Sequence, residues 1–109
     1  MKPIEFHGDS LEMLREFAPE ARRKLGYQLD LVQRGLDPDD WKPMPTVGSG
    51  ACEIRVRDDA GAFRAIYVAK IEDAIHVLHC FQKKTQRTTR KDLDLAASRY
   101  RELMNRSKR

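Results

Sequence analysis

Residues 63–82 restrict this chain more than any other stretch. Two runs rich in β-branched and aromatic residues, 63–70 and 74–82, are separated only by Ile71-Glu72-Asp73. Runs of that composition and length form strands, and so short a gap joins them as an antiparallel hairpin. In the first run Phe63, Ala65, Tyr67 and Ala69 share one face, and Arg64, Ile66, Val68 and Lys70 share the other. The second run is apolar on both faces between Ile75 and Phe81, the pattern of an interior strand. It leads directly into Lys83, Lys84, Arg87, Arg90 and Lys91, with no acidic residue before Asp92. A rigid hairpin that delivers cations at its end suits a polyanionic partner.

The remaining elements surround this hairpin. Residues 2–6 alternate as a short strand. Asp9 or Ser10 caps a helix starting at Leu11, with Leu11, Leu14 and Phe17 on its apolar side. Ala18-Pro19 ends it, and Pro19 suits the first turn of a second helix over about 20–34. There Ala21, Leu25, Leu29 and Val32 form an amphipathic stripe before Gly35 stops the helix. Residues 37–50 hold Pro38, Pro43, Pro45, Gly48 and Gly50 and read as a loop. Trp41 either anchors that loop or offers a base-stacking platform. Gly48-Ser49-Gly50 lacks the Gly-Lys-Ser/Thr ending and following helix of a phosphate cradle. In 51–57, Cys52, Ile54 and Val56 face one side and Glu53, Arg55 and Arg57 the other. A last helix over about 89–105 aligns Leu93, Ala96, Ala97, Tyr100, Leu103 and Met104, and residues 106–109 are expected to fray. The order predicts one α+β domain over residues 1–109. A helical hairpin and a C-terminal helix pack around an N-terminal strand and an antiparallel sheet of about four strands.

Charge is unevenly placed. From Phe81 onward ten basic residues face three acidic ones, whereas the first eighty residues carry eleven basic and fourteen acidic. That asymmetry points the C-terminal third toward nucleic acid or an acidic protein, although a solvated basic helix has the same count. No apolar run reaches membrane length, and Met1-Lys2-Pro3-Ile4 leads into charged residues, not a signal segment. The expectation is a cytoplasmic chain without a membrane partner. Cys52 and Cys80 lie in separate strands without metal-binding spacing, as buried thiols in a reducing compartment do.

Catalytic sets of familiar spacing are scarce. His76 and His79 are three apart in a strand and should face opposite ways, so together they hold no metal. Asp73, Asp92 and Asp94 form no convincing carboxylate cluster. A histidine near the cationic strand end is either a general base or a structural residue. What stands out is Arg55, Arg57, Arg64, Lys83 and Lys84, cations on strands or strand ends. Arginines fixed on a sheet have set directions and grip phosphates bidentately. They stabilise charge growing on a phosphate and lower the pKa of a neighbouring lysine, making it a proton carrier. A ladder in which Arg55 and Arg57 pair with Glu53 or Asp58 fits the same pattern.

Taken together, four motifs carry a resemblance. They are Glu53-Ile-Arg55-Val-Arg57, Gly61-x-Phe-Arg64-x-Ile-Tyr67, His76-Val-Leu-His-x-Phe-x-Lys83-Lys84-Thr-Gln, and Asp92-x-x-x-Ala96-x-x-Arg99-Tyr100. The composite resembles the RelE/ParE superfamily of type II toxins, and within it the HigB-like, phage-derived branch. The resemblance implies a RelE-like α+β fold and neutralisation by a co-transcribed antitoxin, in this branch a helix-turn-helix protein. It also implies an mRNA interferase that acts on translated mRNA at the ribosome and needs no metal or other cofactor. In that reaction the RNA 2′-hydroxyl attacks the adjacent phosphate, leaving a 2′,3′-cyclic phosphate and a 5′-hydroxyl. Carried over by position, Arg64 contacts the scissile phosphate, with Lys84 and Arg57 as the other catalytic cations. Arg55 and Lys83, with Arg87 and Arg90 from the following run, bind the rest of the substrate. Relatives often place a tyrosine or histidine where this chain has Thr88-Thr89-Arg90-Lys91, and some have a lysine at Glu53. The base and acid therefore stay unassigned. The alternatives are a ParE-like gyrase inhibitor that cleaves no RNA, or an RNA-binding module without catalysis.

Overall fold

In the computed structural model, which describes residues 1–85 and 87–108, the two apolar runs are neighbouring strands, β4 (Gly61–Ile71) and β5 (Ala74–Lys83). Their turn closes on two residues, Glu72 and Asp73, both left-handed with φ of 56° and 52°. Such turns match the twist of a hairpin, although they favour glycine and asparagine. Here Arg106 donates to the Glu72 carboxylate and helps hold the turn.

On one side of the hairpin lies β3 (Ala51–Asp58), antiparallel to β4, followed by β2 (Trp41–Pro43), antiparallel to β3. On the other side β1 (Ile4–Phe6) runs parallel to β5. The α+β class is as expected, but the sheet has five strands and is mixed, in the order β1-β5-β4-β3-β2. The addition is β2, inside the stretch read as a loop. Pro43 fits there because an edge strand leaves one row of backbone groups unpaired.

The helices are α1 (Ser10–Arg15), α2 (Pro19–Gln33) and α3 (Arg90–Ser107). Leu14, Phe17, Ala21, Leu25, Leu29 and Val32 from the helical hairpin pack on Ile54, Val56, Phe63, Ala65, Tyr67 and Val77. On the opposite face Ala96 and Leu103 of α3 pack with Ile66, Val68, Leu78 and Phe81, beside Met44 and Val47. Both faces of β5 are therefore covered, which explains its continuous apolar run. No described helix is long and apolar enough to cross a membrane.

Three local expectations change. Trp41 is 39% exposed on the edge strand, and the loop is pinned instead by Met44 and Val47, both buried. The C-terminal residues do not all fray: α3 continues to Ser107, and Arg106 is held by Glu5 and Glu72 (Arg109 lies outside the described residues). Finally, β5 is bulged. Ile66 pairs with His79 but Tyr67 pairs with Val77, so Leu78 is the extra residue. His76 and His79 consequently face the same side, contrary to simple alternation.

Gly48 lies against the ring of Tyr100, whose hydroxyl donates to the Ser49 carbonyl at 2.8 Å. A Cβ at Gly48 would overlap that ring. Gly48→Ala is thus expected to displace Tyr100 and lower stability by about 1–3 kcal/mol, measured as a shift of the urea midpoint.

Candidate functional site

The cationic residues converge because of the β3–β4–β5 register. Arg57, Ala62 and Lys83 form one row across three strands, and Arg55, Arg64 and Phe81 form the next row on the same face. Arg55 and Arg64 are directly opposite each other, a repulsive arrangement unless an anion lies between them. Glu53 supplies it. Its side chain is 0% exposed, with Oε1 at 3.5 Å from Nε of both Arg55 and Arg64. The other oxygen, Oε2, accepts a hydrogen bond from Thr88 Oγ1 at 2.8 Å. Thr88 precedes α3, whose N-cap Thr89 accepts from the backbone N–H of Asp92. One buried carboxylate therefore joins two strand arginines to the start of the last helix.

Arg64 is 6% exposed. Its Nη1 donates to the Phe63 carbonyl at 3.1 Å and its Nε faces Glu53, so only a small part of the guanidinium meets solvent. Burial lowers its pKa from the usual arginine value, with Glu53 opposing the shift. An arginine remains charged under such a shift. That accessible part lines a cleft of about 500 Å³ with Arg57, Ala62, Lys83, Lys84 and Thr85. All four charged groups of this lining are cations.

A second cavity of about 420 Å³ shares Arg55 and Lys83 with the site and adds Lys42, Arg87 and Thr88. Lys83 lines both cavities, so the two lie side by side as a basic trough around its side chain. Its amine is pushed below the ordinary lysine pKa, by burial first and then by Arg64, with Glu53 opposing. Lys42 was missed in the sequence because it sits on β2, the strand hidden among prolines, and its register partner is Glu53.

Of the residues expected in the site, Arg57, Arg64, Lys83 and Lys84 line the first cavity, and Arg55, Lys83 and Arg87 the second. Arg90 lines neither and pairs with Asp94 at 3.3 Å on the exposed side of α3. Gln86, from the Lys-Lys-Thr-Gln motif, lies outside the described residues. The ladder reading holds for Arg55 with Glu53 and fails for Arg57 with Asp58. Asp58 accepts instead from the backbone N–H groups of Ala21 and Ala60.

The histidine nearest the cationic strand end lines neither cavity. His79 is buried, stacked on Phe81 at 4.9 Å, and bonded through Nε2 to Asp92 Oδ1 at 2.8 Å. Neither cysteine is disulfide-bonded, and burial pushes the Cys80 thiol up to about 12, far from the thiolate that nucleophilic chemistry needs.

A family model described as phage-derived protein Gp49-like (DUF891) matches residues 12–101, from within α1 to within α3, a span that includes every residue of the trough. No curated protein matches the chain.

Proposed function

The chain belongs to the phage-derived Gp49-like family, a family of RelE/ParE-like toxins, and from that premise we propose that it is an mRNA interferase of the HigB-like kind. Its partner is a co-encoded antitoxin of the helix-turn-helix class, and its substrate is translated mRNA. The observation that carries this reading is the buried Glu53, which fixes two strand arginines beneath a trough lined by cations. Among the described residues, the Nε–H groups of Arg55 and Arg64 and the Glu53 Oε1 that they face at 3.5 Å make ion pairs but no hydrogen bond. Glu53 orients both guanidiniums through their Nε edges, so in this reading a phosphate is met by the guanidinium nitrogens turned away from that carboxylate.

In the proposed reaction the 2′-oxygen attacks the adjacent phosphorus and the bond to the 5′-oxygen breaks. The deprotonated fraction of Lys83, which its lowered pKa enlarges, takes the 2′-hydroxyl proton, and Lys84 as an ammonium protonates the departing 5′-oxygen. Arg64 stabilises the charge that develops on the non-bridging oxygens, while Arg57, Arg55, Lys42 and Arg87 hold flanking phosphates. This chemistry needs no metal.

The direct test is an mRNA loaded on translating ribosomes and carrying one 2′-deoxy nucleotide at a mapped cut. That position should resist cleavage while the all-ribo strand yields a 2′,3′-cyclic phosphate and a 5′-hydroxyl. Cutting at the deoxy position would overturn the mechanism. The rate should also rise with pH as Lys83 loses its proton and then level off. Lys83→Ala should lose that rising limb and Lys84→Ala should keep it, which a pH–rate profile reads directly. Lys42→Ala should weaken RNA binding similarly for all sequences and reduce the slope of log K against log salt by about 0.7.

One observation favours a second reading. Among the described residues, the 500 Å³ cleft has no carboxylate, imidazole or phenol in its lining. A toxin that grips a target such as gyrase without cutting RNA would use the same cations. Growth arrest without strand scission selects that reading.

A further inference from the structure

A separate cluster of ligand-type side chains lies at the opposite end of the β4–β5 hairpin from the cleft. Glu5 on β1 pairs with His76 across the parallel β1–β5 ladder, and His7 follows two residues later. One ligand atom from each of Glu5, His7 and His76 falls within 4.8 Å of the others. His7 Nε2 stands 2.9 Å from His76 Nδ1 and 3.2 Å from Glu5 Oε2. In a tetrahedral shell with bonds of about 2.0–2.1 Å, ligand atoms are separated by about 3.3–3.4 Å. The Glu5–His7 separation lies close to that edge, and the two imidazoles, now within hydrogen-bond distance, would open slightly to reach it.

The outer partners of such a site are also present. His76 Nε2 is 2.9 Å from the Ile71 carbonyl and 3.8 Å from Glu72 Oε1. A proton held on Nε2 by that carbonyl leaves Nδ1 with its lone pair toward Glu5 and His7. Metal-ligating imidazoles are oriented in this way. Arg106 donates to both Glu5 oxygens and to Glu72. Two carboxylates against one guanidinium leave a local charge of −1 for a cation to balance.

We propose that Glu5, His7 and His76 bind one zinc-class divalent ion, with the fourth position open to solvent. Two imidazoles and one carboxylate favour zinc over magnesium or calcium, which prefer shells of oxygen. The ion would fasten the three-residue β1 to β5 and, through Arg106, to α3. It would stabilise the fold by mass action. Its distance from the trough makes the proposal independent of the RNA-cleaving reading. Nothing local in the sequence signals it, because 69 positions separate His7 from His76.

The test uses tag-free chain stripped of metal with a chelator and titrated with Zn²⁺ by calorimetry, with thermal unfolding followed in parallel. One saturable zinc per chain is expected, raising Tm with concentration, while Mg²⁺ does neither. Glu5→Gln and His7→Ala, at positions that are not fully buried, should fold. Each should weaken zinc binding by more than the roughly 10–100-fold that loss of an outer partner costs. Co²⁺ in place of zinc should give tetrahedral visible absorption in the wild type and lose it in both variants. Failure of the wild type to take up zinc saturably would overturn the proposal. So would unchanged zinc affinity and an unchanged cobalt spectrum in both variants.

Discussion

Replacing Arg64 is expected to abolish RNA scission and growth inhibition while the fold survives in a suitable variant. A donor aimed at developing charge in a partly dry cleft contributes roughly 100- to 1,000-fold to the rate. Arg64 has that position: it is 6% exposed, backed by Glu53, and lines the basic cleft. Alanine there also leaves the fully buried Glu53 with one cation fewer, so Arg64→Ala alone mixes catalysis with stability. Two further variants separate them. Arg64→Lys keeps the charge without the planar fork and should remain folded with most of the activity lost. Glu53→Gln combined with Arg64→Ala removes the stranded charge and should recover stability without recovering cleavage. A folded Arg64→Lys protein with wild-type activity would show that the fork does not act on the scissile phosphate.

The second large effect is on stability and belongs to Glu53. Its carboxylate is the acceptor for Thr88 and the counter-charge for Arg55 and Arg64. Glu53→Ala leaves two opposed arginines without an anion and frees the segment before α3. Breaking a buried ion pair by removing one partner costs about 3–5 kcal/mol. Domains of this kind hold a total of about 5–15 kcal/mol, so much of the population should be unfolded under mild denaturant. Glu53→Gln keeps the size and the acceptor for Thr88 and should cost less. Urea unfolding of both variants measures this. An alanine variant within about 0.5 kcal/mol of the wild type, the range of ordinary surface changes, would mean that Glu53 does not organise the site.

The hairpin, the α2 stripe and the two faces of β3 and β4 were legible because each rests on local periodicity. The features that escaped depend on partners distant in the chain or on exceptions to that periodicity. Pro43 argued against a strand, yet β2 is at the sheet edge where proline is tolerated. The parallel pairing of Ile4 with Ile75 joins segments that carry no local mark of each other. Between Ile75 and Phe81 apolar residues fall on both faces and only His76 and His79 interrupt them, so a one-residue bulge at Leu78 leaves no clear trace in the pattern. Alternation placed Glu53, Arg55 and Arg57 on one face and left their pairing open. It could not show that the start of α3 covers Glu53 and converts it from a surface acid into a buried counter-ion. Arg106 was expected to fray because its partners, Glu5 and Glu72, come from other parts of the chain.

The most direct measurement is a map of new mRNA 5′ ends after induced expression in a bacterial host, comparing wild type with folded Arg64→Lys, with and without the adjacent gene. An interferase predicts discrete cuts inside translated frames that carry 5′-hydroxyl ends. Those cuts should vanish when the neighbouring antitoxin is co-expressed and fall sharply in the variant. Growth arrest by the wild type without any such cuts would contradict RNA cleavage and move the target to a protein such as gyrase.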